Sequence, residues 1–134
     1  MSCKSALYAA MQTPTAVAVD GVIPLGSLIR RYGCDVALNG NTVNIIGAGY
    51  YDVDASVTVA PAAVGTVTIT LFKDGVAVPS ATASATAAAA NDALDLNITA
   101  LVRQVCCAAG SALTLVLTGA AATVNNVALR VQRI

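Results

Sequence analysis

The stretch Tyr51-Asp52-Val53-Asp54-Ala55-Ser56-Val57-Thr58-Val59 alternates without a break: odd positions are apolar, even positions polar. Side chains along a strand point to opposite faces in turn, so this period of two predicts a strand with one buried and one open face. The same register recurs in Val67, Ile69 and Leu71 against Thr66, Thr68 and Thr70, and in Leu94, Leu96 and Ile98 against Asp95, Asn97 and Thr99. Leu113, Leu115 and Leu117 form a further set, as do Val127, Leu129 and Val131, with a shorter one at Val43 and Ile45. Such runs, rich in Val and Thr, are strands rather than helices.

Turn chemistry separates them. Asn39-Gly40-Asn41 and Asp74-Gly75 accept positive φ at low cost and predict hairpins. Pro61 with Gly65, Ala90-Asn91-Asp92, Gly110-Ser111 and Gly119 mark further connections. Ala87–Ala90 is too short for a helix and is read as a strand end and loop. Leu101-Val102-Arg103-Gln104-Val105 is ambiguous and can continue its strand. About eight to ten strands with short connections predict an all-β chain, an antiparallel two-sheet sandwich or jelly roll. Residues 1–14 show no such pattern and are expected to form an N-terminal arm, with residues 15–134 as a single domain.

Composition narrows the function. Of 134 residues, 57% are hydrophobic and only 10% charged, with seven Lys and Arg balanced by seven acids, all of them Asp. A charge-poor, neutral chain is unsuited to nucleic acid, whose phosphates call for clustered cations. With no His and no Trp in the chain, His-based triads, His metal sites and His acid–base catalysis are absent. So few charges cover the surface of a domain this size thinly, which points to burial against copies of itself or another partner. The N-terminus has no apolar run of signal-peptide type, and no segment has the length and hydrophobicity of a spanning helix. The expectation is folding in the cytoplasm and release by lysis or within a larger particle.

Each candidate for chemistry has a plainer alternative. Asp52 and Asp54 share a strand face and can offer oxygens to Ca²⁺ or act as an acid–base pair, but two carboxylates fall short of the roughly six to eight oxygens that Ca²⁺ takes. The plainer reading is a solvated or interface-facing strand. Arg30-Arg31 can hold an anion or pair with nearby Asp. Tyr50-Tyr51 is read as one core residue and one at a subunit contact, where aromatics concentrate. Gly47-Ala48-Gly49 has no following lysine and reads as a turn before a long strand. Ser5, Ser27, Ser56, Ser80, Ser84 and Ser111 have no His to activate them, and G-x-S-x-G does not occur. Cys3, Cys34, Cys106 and Cys107 allow three pairings and also fit reduced or interchain thiols, while the lack of C-x-x-C argues against zinc and redox catalysis. Nothing calls for an enzyme or a cofactor.

Gly49-Tyr50-Tyr51-Asp52-Val53-Asp54-Ala55-Ser56-Val57 resembles the "G-x-Y-x-hydrophobic" strand of the tumour-necrosis-factor and complement-type globular heads. Thr68-Ile69-Thr70-Leu71-Phe72-Lys73-Asp74-Gly75-Val76 resembles the hairpin that follows it there, and Leu94 to Leu117 is similar to the later paired strands. The chain also resembles small phage and prophage structural proteins of Firmicutes and the jelly-roll tips of collagen-like exosporium proteins, although it has no Gly-X-Y stalk. The resemblance implies a TNF-like homotrimer with an aromatic-bearing sheet face on the three-fold axis, for which Tyr50, Tyr51 and Phe72 are the candidate interface residues. On this reading the chain is a non-enzymatic virion subunit, a capsid-decoration or head-fibre protein anchored to a capsid or fibre protein through the N-terminal arm. The alternatives are a receptor- or glycan-binding fibre tip and a self-assembling spore or cell-surface filament.

Overall fold

A computed structural model describes residues 5–105 and 110–134. The chain forms two antiparallel sheets packed face to face. The front sheet has the order β3-β1-β11-β6-β9, with β2 also pairing with β11; the back sheet has the order β4-β5-β10-β7-β8. The strands are β1 (Ala6–Met11), β2 (Thr15–Val17), β3 (Ser27–Tyr32), β4 (Val36–Asn39), β5 (Thr42–Ile45), β6 (Gly49–Pro61), β7 (Gly65–Lys73), β8 (Val76–Ala87), β9 (Leu94–Gln104), β10 (Ser111–Thr118) and β11 (Ala122–Arg133). First and last strands lie side by side, and from β5 onward every connection except the β7–β8 hairpin crosses between the sheets, which is jelly-roll connectivity.

The alternation sets the faces. Val53, Val57 and Val59 of β6 meet Ile69 and Leu71 of β7, Leu115 and Leu117 of β10, and Leu129 and Val131 of β11 in one apolar core. Because a one-residue slip would turn every Val outward, the buried face holds the register strictly. β11 breaks its own alternation at Asn125: the register against β6 shifts between Val124 and Asn126. The extra residue is a bulge that lets Val124 and then Val127 both point inward. Outside the front sheet's partner lies a threonine-rich face, where Thr66, Thr68 and Thr70 of β7 hydrogen-bond Thr86, Ser84 and Thr82 of β8 at 2.9, 2.8 and 3.2 Å. Thr and Ser thus satisfy one another across strands in place of charged pairs.

Two expectations change: eleven strands stand among the described residues where about eight to ten were expected, and part of the expected N-terminal arm is a strand. Residues 1–14 are not an arm throughout. Ala6–Met11 is an interior strand, paired on one side with β11 and on the other with β3. Its inward residues Leu7, Ala9 and Met11 are buried, but the outward ones include Ala6 and Ala10, so the polar half of the alternation is missing from the sequence. β3 was also invisible to alternation: all six residues are exposed, since it is an edge strand with no layer behind it. Residues 1–4 and 106–109 lie outside the described residues, and with them Cys3, Cys106 and Cys107.

Candidate functional site

The outward face of the front sheet gathers most of the polar residues singled out from the sequence. Register places them in rows across the strands. One row reads Arg30, Tyr8, Arg130, Asp54, Thr99 across β3, β1, β11, β6 and β9. The adjacent outward row reads Ser27, Ala10, Ala128, Ser56, Asn97. Small side chains beside large ones leave a shallow groove of about 440 Å³, bounded by Tyr8 and Arg130 and floored by Ser56 and Ala128. Asp52 and Asp54 do share this face, as alternation requires. Their partner is neither a metal nor a second acid but Arg130, which ion-pairs with Asp54 and lies 3.5 Å from Asp52. All three are substantially exposed, so this contact contributes little to stability in water.

Tyr51 corrects the interface expectation. It is 0% exposed and belongs to the core, because the odd register of β6 points inward. Tyr50 projects outward at the end of the front sheet, next to Arg103 in register. Phe72 lies on β7 of the back sheet, paired in register with Thr114 and Ala77. Tyr50 and Phe72 therefore stand on different sheets and do not form one flat face.

A buried polar cluster lies where the termini meet the first loops. The Arg133 guanidinium is 2.6 Å from the Asp35 carboxylate, with side chains only 17% and 10% exposed. Arg133 also donates to the Ala48 carbonyl at 2.5 Å. The Ser5 hydroxyl lies 3.3 Å from the Asp35 carboxylate and accepts the Asp35 N–H at 3.1 Å. Tyr51 donates its hydroxyl to the Gly47 carbonyl at 2.6 Å. Burial, above all, and then the Asp35 charge push the Tyr51 phenol above its ordinary value. The sequence reading missed this cluster, since Asp35 and Arg133 are 98 residues apart and neither sits in a recognisable motif. Cys34, beside Asp35, is disulfide-bonded.

Elsewhere Asp74, in the predicted Asp74-Gly75 turn, accepts the Ala112 N–H at 2.9 Å, which holds its carboxyl below the usual range. Arg31 donates to the Val36 carbonyl at 2.6 Å. A second groove, of about 480 Å³, runs along the open side of the sandwich between β8 and β9, lined by Lys73, Val76, Val78, Pro79, Leu101 and Arg103. Among the described residues no three Cys or Asp come together as metal ligands. No described helix could cross a membrane.

No family model and no curated protein matches the chain. Solved structures do. The chain is similar to Eiger TNF from S. frugiperda, with a TM-score of 0.73 and 11% identity over 100% of this chain and 94% of that one. Murine APRIL aligns with a TM-score of 0.72 and 12% identity over 96% and 98% of the two chains. PRD1 vertex protein P5 aligns with a TM-score of 0.64 and 12% identity over 100% and 99%. At these identities the likeness is one of fold: the chain is an all-β, antiparallel jelly-roll sandwich of the TNF-like kind.

Proposed function

We propose that the chain is a non-enzymatic structural subunit, a homotrimer displayed on the surface of a bacteriophage virion as a capsid-decoration or head-fibre protein. The observation that carries the assembly is where the exposed apolar side chains fall. Tyr8, Leu28, Ile29 and Tyr32 crowd the β1–β3 side of the front sheet; Leu101 (58% exposed), Val105 and Val76 (70% exposed) crowd the β9–β8 side. β3 and β9 are the two opposite edges of that sheet. Two different patches facing apart cannot satisfy each other in a two-fold dimer that uses one patch. They suit a heterologous contact, one copy's β9 side against the next copy's β1–β3 side, and rotation closes such contacts into a ring. Three copies is the number implied by the TNF-like resemblance.

The outward face between the patches supports covering. Beside the Arg130–Asp52–Asp54 cluster, in which one cation meets two carboxylates, β6, β9 and β11 present Ser56, Thr58, Asn97, Thr99 and Ala128, with Asp95 as the further charge opposite Thr58. Such groups desolvate at smaller cost than Lys or Glu. Likeness to a vertex protein supports the place on a particle. The chain then works by position: it presents loops outward and takes its hold from one end.

Native mass spectrometry of the full chain is expected to give three copies. A single-copy mass at micromolar concentration overturns the assembly. Purified particles from the encoding phage are expected to contain the chain in multiples of three, and its absence from them overturns the virion role.

A further inference from the structure

Charge is sorted by height along the strands. The front sheet runs from the Tyr50–Arg103 pair, where Ser5 and Ile134 lie, to the Pro61–Ala122 pair at the other end, about 36 Å at 3.3 Å per residue. Arg30, Arg31, Arg103, Arg130 and Arg133 all fall in the half nearer the termini by their register. Lys73 joins them, sharing a groove with Arg103. The far half contains Asp20, Asp92 and Asp95 and no described cation: Asp20 pairs its N–H with the Leu117 carbonyl, Asn91 beside Asp92 bonds Pro61, and Asp95 pairs with Thr58.

Ion pairing leaves the near end with cations to spare. Arg133 pairs with Asp35, Arg130 meets both Asp52 and Asp54, and Asp74, next to Lys73, accepts a backbone N–H while keeping its charge, so six described cations face four Asp and the surplus is two. Arg30, Arg31, Arg103 and Lys73 have no carboxylate within ion-pair distance among the described residues. Outside the two patches assigned to the subunit contact, the same end exposes Ile46 and Tyr50. Arg and Tyr are among the residues enriched at protein-binding hot spots. The far end differs in its charge: Ala62, Ala63, Ala88, Ala89 and Asn91 are exposed beside the Asp side chains, with Val19 and Val64 among them and no described cation.

We propose that the end carrying the termini is a docking surface for an acidic protein, with Arg31, Lys73 and Arg103 as its charge contacts and Ile46 and Tyr50 as its anchors. A protein suits it better than nucleic acid, because the cations are spaced among Val, Ile and Tyr and share the end with four Asp instead of forming a continuous basic track. This rests on the proposed structural role, which it deepens by naming the end that holds the particle. The charge-poor, alanine-rich end then faces outward.

The test uses the full chain on immobilised poly-L-glutamate, at low and then at high salt. Retention at low salt and release at high salt are expected. The Arg31→Gln/Lys73→Gln/Arg103→Gln variant is expected to bind about ten-fold more weakly. Arg31→Lys/Arg103→Lys is expected to keep binding, and Asp20→Asn/Asp92→Asn/Asp95→Asn to leave it unchanged. No retention, equal retention of the Gln variant, or stronger retention on duplex DNA or phosphatidylserine vesicles overturns the proposal. Native mass is read on each variant: loss of the three-copy mass together with binding assigns these residues to the subunit contact and overturns docking. A single-copy wild-type chain that still binds poly-L-glutamate defeats the trimer and leaves the docking surface standing.

Discussion

Arg133 and Asp35 form a buried ion pair, 2.6 Å between Nη1 and Oδ2, that ties the last strand to the loop between β3 and β4. Ser5 and Ala48 complete its hydrogen bonds, so four separate segments close at one point. Removing one partner leaves the other charge buried without compensation. Arg133→Met is expected to cost about 2–4 kcal/mol. Arg133→Met/Asp35→Leu is expected to cost less than the two single changes added together, because each single change already breaks the pair. Chemical denaturation of all three variants checks this; strict additivity would show that the pair is not coupled.

Tyr51 supplies a pH dependence at the alkaline side. Its phenol sits above the ordinary value of 10.0 in the folded chain, through burial and then the Asp35 charge. The folded state therefore holds this proton more tightly than the unfolded state. The resulting stability is present in full below pH 10 and falls as pH rises beyond it. Tyr51→Phe is expected to remove that alkaline slope while costing about 1 kcal/mol at neutral pH for the lost bond to Gly47. Thermal melts from pH 7 to about pH 11 read both effects.

Gly47 is held to glycine by its neighbour. A Cβ there would fall 2.2 Å from Asp35 Oδ1, and that oxygen belongs to a carboxylate already fixed by Arg133 and Ser5. Gly47→Ala is expected to lower stability by about 2 kcal/mol. Gly40→Ala meets nothing within 4 Å and is strained only by its φ of 62°, so it is expected to cost about half as much. Side-by-side melting temperatures decide between the two.

The assembly prediction turns on the two apolar sides of the front sheet. Leu101→Asp on β9 and Tyr8→Lys on β1 are each expected to reduce the three-copy mass to one by at least about ten-fold in affinity, since the first sets a carboxylate beside Asp52 and the second a third cation between Arg30 and Arg130. Val64→Asp, on an exposed loop at the far end, is expected to leave the mass unchanged. Native mass spectrometry over a dilution series provides the measurement, and loss of assembly in Val64→Asp alone would place the contact elsewhere.

Much of the sandwich was legible before any coordinates. β6, β7, β9, β10 and the second half of β11 announce themselves through alternating Val, Ile and Leu, and the Asn39–Asn41 and Asp74-Gly75 turns fall where expected. β1 and β3 did not. Alternation is a signal only when one face is buried and the other polar, and β1 puts Ala on both faces while β3 buries neither. The candidate surface was half legible: Asp52 and Asp54 were placed on one face of β6, whereas Tyr50 was not told apart from Tyr51, and the companions Tyr8 and Arg130 come from distant strands that only register brings alongside.

By itself, the sequence determined the fold class, the inward side of each strong strand, and the absence of His-based chemistry, because each of these depends on local pattern or on composition. Tertiary structure decided what depends on strand order. It paired Arg133 with Asp35 and Arg130 with Asp54, sent Tyr51 inward and Phe72 to the other sheet, and put the described cations at one end and Asp20, Asp92 and Asp95 at the other. A period of two says which way a side chain points; only the order and register of the strands say what it points beside.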